Sequence, residues 1–191
     1  MIRISTEKET VIILLSGGVD STALVDYYLR RNYQVTAIHF QYNQRNSKSE
    51  REAVLSVCRH YDIEHHTYEL GFPLRENNGE YMSRNILFIL AASTILKSQY
   101  SIISLGIHYG SPYYDCSEVF LKDCQNIMDG YFAGAVSVEA PFLNWSKIQI
   151  YEYCIKYDVP FNKTYSCERD NFIPCGECLS CLDREMLYEY K

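Results

Sequence analysis

The chain reads as an α/β protein: a parallel, doubly wound five-stranded sheet with a small C-terminal metal-held lobe. Three observations carry that expectation. Short apolar runs rich in β-branched residues alternate with longer helical patterns, the rhythm of strand–helix–strand units. The earliest run passes into a Gly-rich turn and then a helix, the usual start of a nucleotide-binding unit. Half of the eight cysteines crowd between residues 167 and 181.

Thr10 to Leu15 is a continuous apolar run, as expected for a strand covered on both faces. Ser16-Gly17-Gly18-Val19-Asp20 interrupts it, and Ser21 to Arg30 follows as a helix. Gln34 to Phe40 is the second strand and Lys48 to Tyr61 the second helix. Ile63 to Leu70 is a more polar strand, suited to a sheet edge. Asn85 to Gln99 is apolar enough for a buried helix, and Ser101 to Ile107 is the fourth strand. A helix over Ser117 to Phe132, a strand over Ala135 to Ala140 and a helix over Trp145 to Tyr157 complete the series. Asp158-Val159-Pro160 stops that helix. Residues 1–160 therefore form the expected main domain and 161–191 the lobe.

The 191 residues suffice for one well-buried core. Apolar residues at 47% and charged residues at 22% exclude disorder as the main state. A net charge of −6 argues against bulk nucleic-acid binding. No apolar run reaches the ~18 residues of a membrane helix, and the charged N-terminus is unlike a signal peptide. A cytoplasmic, reducing location is the expectation. Eight cysteines fall well short of the ~8–10% of a disulfide scaffold.

Two constellations carry chemistry. The first is Leu15, Ser16, Gly17, Gly18, Val19, Asp20, Ser21 and Thr22, between a buried strand and a helix. Glycines permit close backbone approach to a ligand. Loop amides and the positive helix end suit phosphate, and Ser16, Ser21 and Thr22 add hydroxyls. Asp20 fits better as helix N-cap or on the metal side of a bound nucleotide. Neither G-x-x-x-x-G-K-[ST] nor G-x-G-x-x-G is present. The second constellation is Cys167, Cys175, Cys178 and Cys181. Two successive C-x-x-C steps and one upstream cysteine make a tetrahedral thiolate set, with structural Zn²⁺ the leading occupant. A disulfide pair, a catalytic thiol and an iron–sulfur cluster are the rivals. The bacterial ferredoxin run needs a further Cys-Pro shortly after the third cysteine, where Glu185 stands.

The string S-G-G-x-D-S resembles the PP-loop of the N-type ATP pyrophosphatases, whose fold is of the adenine nucleotide alpha hydrolase type. The resemblance implies ATP cleavage between its α and β phosphates, with Mg²⁺. The resemblance narrows when further pieces are added: Tyr42-Asn43-Gln44-Arg45, Ser83-Arg84-Asn85, Gly106-Ile107-His108, Tyr114-Asp115-Cys116, Ala140-Pro141-Phe142, Ser146-Lys147-Ile148, Thr164-Tyr165-Ser166-Cys167 and Cys175-Gly176-x-Cys178-x-x-Cys181-x-x-Arg184. In this order they resemble the 7-cyano-7-deazaguanine synthases of the queuosine pathway over nearly the whole chain.

That resemblance implies ATP-dependent activation of the carboxylate of 7-carboxy-7-deazaguanine and its conversion with ammonia to amide and nitrile. It implies a carbon–nitrogen ligase, a homodimer, Asp20, Ser21 and Lys147 as catalytic residues, and Arg84, Asn85 and Asp115 on the substrate. His39 and His108 end strands on the same side of the sheet. The chain also departs from the family. Gln41, Asn43 and Asn46 replace its usual Asp, Gly and His, Ser117 replaces an Arg, and the loop at 109–117 is short. Such drift suits a paralogue that joins the activated deazaguanine to a protein or nucleic-acid amine. Relatives of this kind accompany bacterial antiviral systems. An RNA thiolase and a non-catalytic nucleotide-binding zinc protein are the remaining alternatives.

Overall fold

A computed structural model describes residues 8–77, 80–95, 100–110, 113–169 and 173–189. Five parallel strands form the main sheet: β1 (Thr10–Leu14), β2 (Gln34–Gln41), β3 (Glu64–Glu69), β6 (Tyr100–Leu105) and β7 (Ser137–Glu139). Their order is β3-β2-β1-β6-β7. A small antiparallel hairpin, β4 (Glu76–Asn77) with β5 (Glu80–Tyr81), precedes the return to the sheet. The helices are α1 (Val19–Arg30), α2 (Ser47–Tyr61), α3 (Arg84–Thr94), α4 (Glu118–Phe132), α5 (Lys147–Tyr157) and α6 (Leu179–Glu189). No helix among the described residues is long and apolar enough to cross a membrane.

The apolar runs of β1 and β2 are explained by burial on both faces. Val11, Ile13 and Leu15, with Val35 and Ala37, join one core with residues of α1, α2 and α5. Ile12, Ile38 and Phe40 enter a second core with residues of α3 and α4. Strand β3 lies at the edge, half-buried and polar, as its sequence requires.

Several boundaries differ from the sequence expectation. Helix α1 starts two residues early, at Val19, so Asp20 lies inside the first turn. The N-cap is Gly18, without a side-chain bond, and the expected capping role of Asp20 is not observed. Strand β7 shortens to three residues. Trp145 stays outside α5, and Ser146 caps it: Ser146 Oγ accepts from the Gln149 amide at 3.3 Å, and Gln149 Oε1 accepts from the Ser146 amide at 2.8 Å. Helix α3 ends at Thr94, and residues 96–99 of the expected longer helix lie outside the described residues. It is also less buried than its composition predicts: Ile89, Ala92 and Ser93 are buried, while Ile86, Phe88 and Leu90 are only partly covered.

The chain runs outward from β1 to β3 and then crosses back to β6. The strand order therefore reverses between β1 and β6, and such a switch point leaves a crevice beyond the strand C-termini. Residues 15–22 leave β1 there, and Gly106 to His108 leave β6 beside them.

Candidate active site

The loop after β1 is built to lie flat on its surroundings. Gly17 has φ +83°, and a Cβ there would sit 2.9 Å from the Glu50 carbonyl oxygen and 3.1 Å from Ala53 Cβ. A side chain is thus excluded by both conformation and space. Gly106 is needed for a second reason: a Cβ on it would meet Ser21 N at 3.0 Å and the Asp20 carbonyl carbon at 3.1 Å. The exit of β6 therefore presses against the first turn of α1.

The hydroxyls of the loop are unequally available. Thr22 is fully buried and donates to the Gly18 carbonyl at 2.8 Å. Ser21, also buried, lies 3.2 Å from the same carbonyl and 3.1 Å from Ser16 Oγ. Ser16 is exposed. The first-turn amides of α1 have no intrahelical acceptor, so they remain donors toward the crevice. Leu15 is buried and anchors the strand end; its carbonyl accepts from His39 Nδ1 at 3.0 Å.

Lys147 meets Asp20 across the crevice. Its Nζ lies 2.8 and 2.6 Å from the two carboxylate oxygens. Lys147 is the first residue of α5, where the helix dipole disfavours a cation. The Asp20 carboxylate offsets that cost. His108 Nε2 stands 4.0 Å from Asp20 Oδ2. All three side chains keep between 21% and 23% of their surface, so the cluster borders solvent and is open to a ligand. Asp20 and Lys147 are therefore brought together with His108 as a neighbour, whereas the Ser21 hydroxyl is turned toward Ser16 and the Gly18 carbonyl.

The residues expected on the substrate form a second group. Arg84 opens α3, half-buried, with Nη1 3.4 Å from Tyr42 Oη and its guanidinium 5.9 Å from the Tyr81 ring centroid. Asn85 follows in the same turn. Asp115 sits in a short 3-10 turn, Tyr114–Cys116, and its charge acts on Arg84. Behind Tyr42, Glu50 accepts from Gln44 Nε2 at 2.7 Å and from Asn46 Nδ2 at 3.1 Å, and burial raises its pKa. A cavity of about 410 Å³ opens beside the β6 exit, lined by Tyr109, Cys116, Ser117, Glu118, Leu143 and Asn144 among others. No described residue of 161–191 lines it.

Three of the sequence departures have local physical accounts. Asn43 adopts φ +61°, a conformation that Asn tolerates and Gly takes freely. Asn46 Nδ2 also donates to the Cys167 carbonyl at 2.8 Å, so it ties the second loop to the lobe. Ser117 is the N-cap of α4, its Oγ accepting from the Phe120 amide at 3.2 Å.

The four clustered cysteines converge. Their sulfurs all lie within 4.8 Å of one another, and Cys175 and Cys181 are 3.9 Å apart. A tetrahedral ion with ~2.3 Å metal–sulfur bonds needs edges of about 3.8 Å, so the set fits a single ion. The Cys178 amide points at Cys175 Sγ from 3.4 Å. Backbone amides of Glu177 and Cys178 hold the Cys175 thiol down to about 6, while burial pushes Cys181 up to about 12. With four protein ligands no coordination position is left for a substrate.

The model of the queuosine biosynthesis protein QueC family matches residues 10–78 and 77–191. The chain belongs to the QueC family. It is 32% identical over 208 aligned positions to the 7-cyano-7-deazaguanine synthase of Sulfurihydrogenibium sp., covering 94% of each chain. Over 209 positions it is 32% identical to the enzyme of the same name from Aquifex aeolicus, covering 92% of this chain and 94% of that one. Among solved structures, it matches a 4-thiouridine synthetase–RNA complex with bound ATP, with TM-score 0.59 and 17% identity over 95% of this chain and 50% of that one. The NH3-dependent NAD synthetase of Campylobacter jejuni matches with TM-score 0.51 and 16% identity, over 83% of this chain and 68% of that one. These two establish the fold of this QueC-family chain.

Proposed function

We propose that this QueC-family protein makes 7-cyano-7-deazaguanine from 7-carboxy-7-deazaguanine, ammonia and ATP. The observation that carries the reading is the Asp20–Lys147 pair at the switch-point crevice, set within a chain that matches named synthases along nearly all of its length. A lysine placed against its helix dipole and held by a single carboxylate is poised for exchange. An arriving nucleotide would take Lys147 on its phosphates, and Asp20 would turn to the accompanying Mg²⁺.

The reaction then has a balanced course. A carboxylate oxygen attacks the α-phosphorus, pyrophosphate leaves, and an acyl adenylate forms. Ammonia adds to the acyl carbon, gives up a proton, and AMP departs to leave the amide. The amide oxygen attacks the α-phosphorus of a second ATP and expels pyrophosphate. Loss of AMP with the remaining amide protons gives the nitrile. Negative charge gathers on the α-phosphate in both activations. The amides of Val19 and Asp20, Ser16 and Lys147 supply donors there. Arg84, Asn85 and Asp115 hold the deazaguanine. Residues 161–191 act as a lobe held by one Zn²⁺ on Cys167, Cys175, Cys178 and Cys181, whose contribution is structural.

Asn43, Asn46 and Ser117 have backbone, tethering and capping roles, which supports retention of the nitrile-forming reaction despite the sequence drift. Mass spectrometry of products from ATP, ammonia and 7-carboxy-7-deazaguanine tests this. Full conversion to the nitrile is expected. Accumulation of the amide or adenylate alone would instead support transfer to a different acceptor.

A further inference from the structure

The metal lobe touches the loop at residues 16–22 directly, and the contacts converge on one residue. The Tyr165 amide donates to the Gly17 carbonyl at 2.9 Å. Tyr165 lies two residues before the ligand Cys167. Its segment is held from the other end by Arg184, three residues after the ligand Cys181. Arg184 Nη2 donates to the Phe161 carbonyl at 2.7 Å, and Nη1 donates to Thr164 Oγ1 at 2.9 Å and to Ser166 Oγ at 3.4 Å.

A second route reaches the same place from below. The Cys167 carbonyl accepts from Asn46, which also binds Glu50. The Glu50 carbonyl oxygen is the atom that a Cβ on Gly17 would strike. Helix α6 makes a third connection: the Asp183 carbonyl accepts from Tyr151 Oη at 2.5 Å. The Tyr151 ring lies beneath Lys147, with Nζ 5.6 Å from its centroid.

We infer that the metal site is a clamp on the ATP loop, with Arg184 and Asn46 as its positioning residues. An ion on four thiolates fixes Cys167 and Cys181 relative to one another. Arg184 passes that constraint to residues 161–166, and the Tyr165 amide passes it to Gly17. Gly17 is the point where control is needed, because its positive φ turns the chain so that the following amides face the phosphates. Without the clamp the loop would have to be ordered by the nucleotide itself, and the ordering cost would appear as weaker binding. The inference rests on the reading of residues 16–22 as the ATP loop.

Calorimetric titration with α,β-methylene ATP and Mg²⁺, without deazaguanine, separates the two claims. The full-length metal-loaded protein is compared with chelator-stripped protein and with Arg184→Ala and Tyr165→Pro. Thr164 is already extended (φ −97°, ψ 158°), the conformation tolerated before proline, so Tyr165→Pro removes the amide donor. It also removes the hydroxyl that donates to the Arg169 carbonyl at 3.0 Å. Tyr165→Ala, which keeps the amide, is the control for that loss and should bind the nucleotide more tightly than Tyr165→Pro. One net hydrogen bond corresponds to roughly 2- to 13-fold in affinity. Arg184→Ala and Tyr165→Pro should both keep one metal per chain by elemental analysis and bind the nucleotide roughly 3- to 10-fold or more weakly. Arg184→Lys should recover part of the loss, and stripped protein should bind worst. Unchanged affinity in either metal-loaded variant, or in stripped protein, overturns the clamp and leaves the functional reading standing. Absence of nucleotide binding by the unaltered protein overturns both.

Discussion

Asp20 and Lys147 show what a sequence can and cannot disclose about single residues. Their motifs are visible in the chain, yet they lie 127 positions apart and nothing local specifies that they meet. An aspartate at the start of a helix most often caps it, and that expectation failed because Gly18 takes the cap. Lys147→Met should lower the rate of pyrophosphate release by about 10²–10³-fold, the usual loss for a donor to developing charge. The thermal midpoint should hardly move, since the pair is partly exposed and exposed pairs contribute ~0–1 kcal/mol. A large loss of stability with turnover intact would make the pair structural. His39 gives a different residue-scale prediction. Burial lowers its pKa, Nδ1 donates to Leu15, and Nε2 is buried with no partner among the described residues. A lowered folded pKa means that stability is fully present above the unfolded value of 6.5 and is lost as pH falls from there toward the folded value. Thermal midpoints measured from pH 7.5 to 5.5 should decline in the parent and decline less in His39→Asn, which retains a donor for Leu15. Parallel declines would assign the acid sensitivity to other groups.

At the scale of elements, legibility followed burial. Strands β1 and β2 were evident because both of their faces enter a core, which forces an unbroken apolar run. The β4–β5 hairpin was not evident, since its strands are two residues each and rich in Glu and Asn. Helix α6 was hidden for another reason. Its apolar residues Leu179, Leu182 and Met186 are exposed and pack into no core, and the closely spaced cysteines beside them are the pattern of a metal-held loop rather than of a helix. The caps yield a prediction about the sequence drift. Asn43→Gly should change urea-unfolding stability by less than about 1 kcal/mol, because Asn already accepts the positive φ there. Ser117→Ala should cost about 0.5–2 kcal/mol through loss of the α4 cap. If Ser117→Ala is neutral in stability but impairs turnover, Ser117 acts on substrate and the capping account is wrong.

Across the whole molecule, the fold class and the convergence of the four clustered cysteines were legible, whereas the tie between lobe and loop was not. The tie lands on backbone atoms of Gly17, Tyr165 and Cys167, which leave no signature in side-chain patterns, and its two side chains, Asn46 and Arg184, find partners 121 and 20 positions away that nothing local specifies. One Zn²⁺ per chain is expected by elemental analysis. Cys178→Ser should lower metal content and destabilise the lobe strongly, because metal binding supplies folding free energy to a segment with little core of its own. Iron with visible absorption would replace the zinc assignment with a cluster.

The central claim is that this chain activates a carboxylate and then an amide by attack on the α-phosphorus of ATP. Substrate labelled with ¹⁸O in both carboxylate oxygens tests it most directly. Each activation moves one substrate oxygen to phosphorus, so conversion to the nitrile should release two AMP, each carrying one ¹⁸O, with unlabelled pyrophosphate. Formation of ADP, or AMP free of label, would contradict the account.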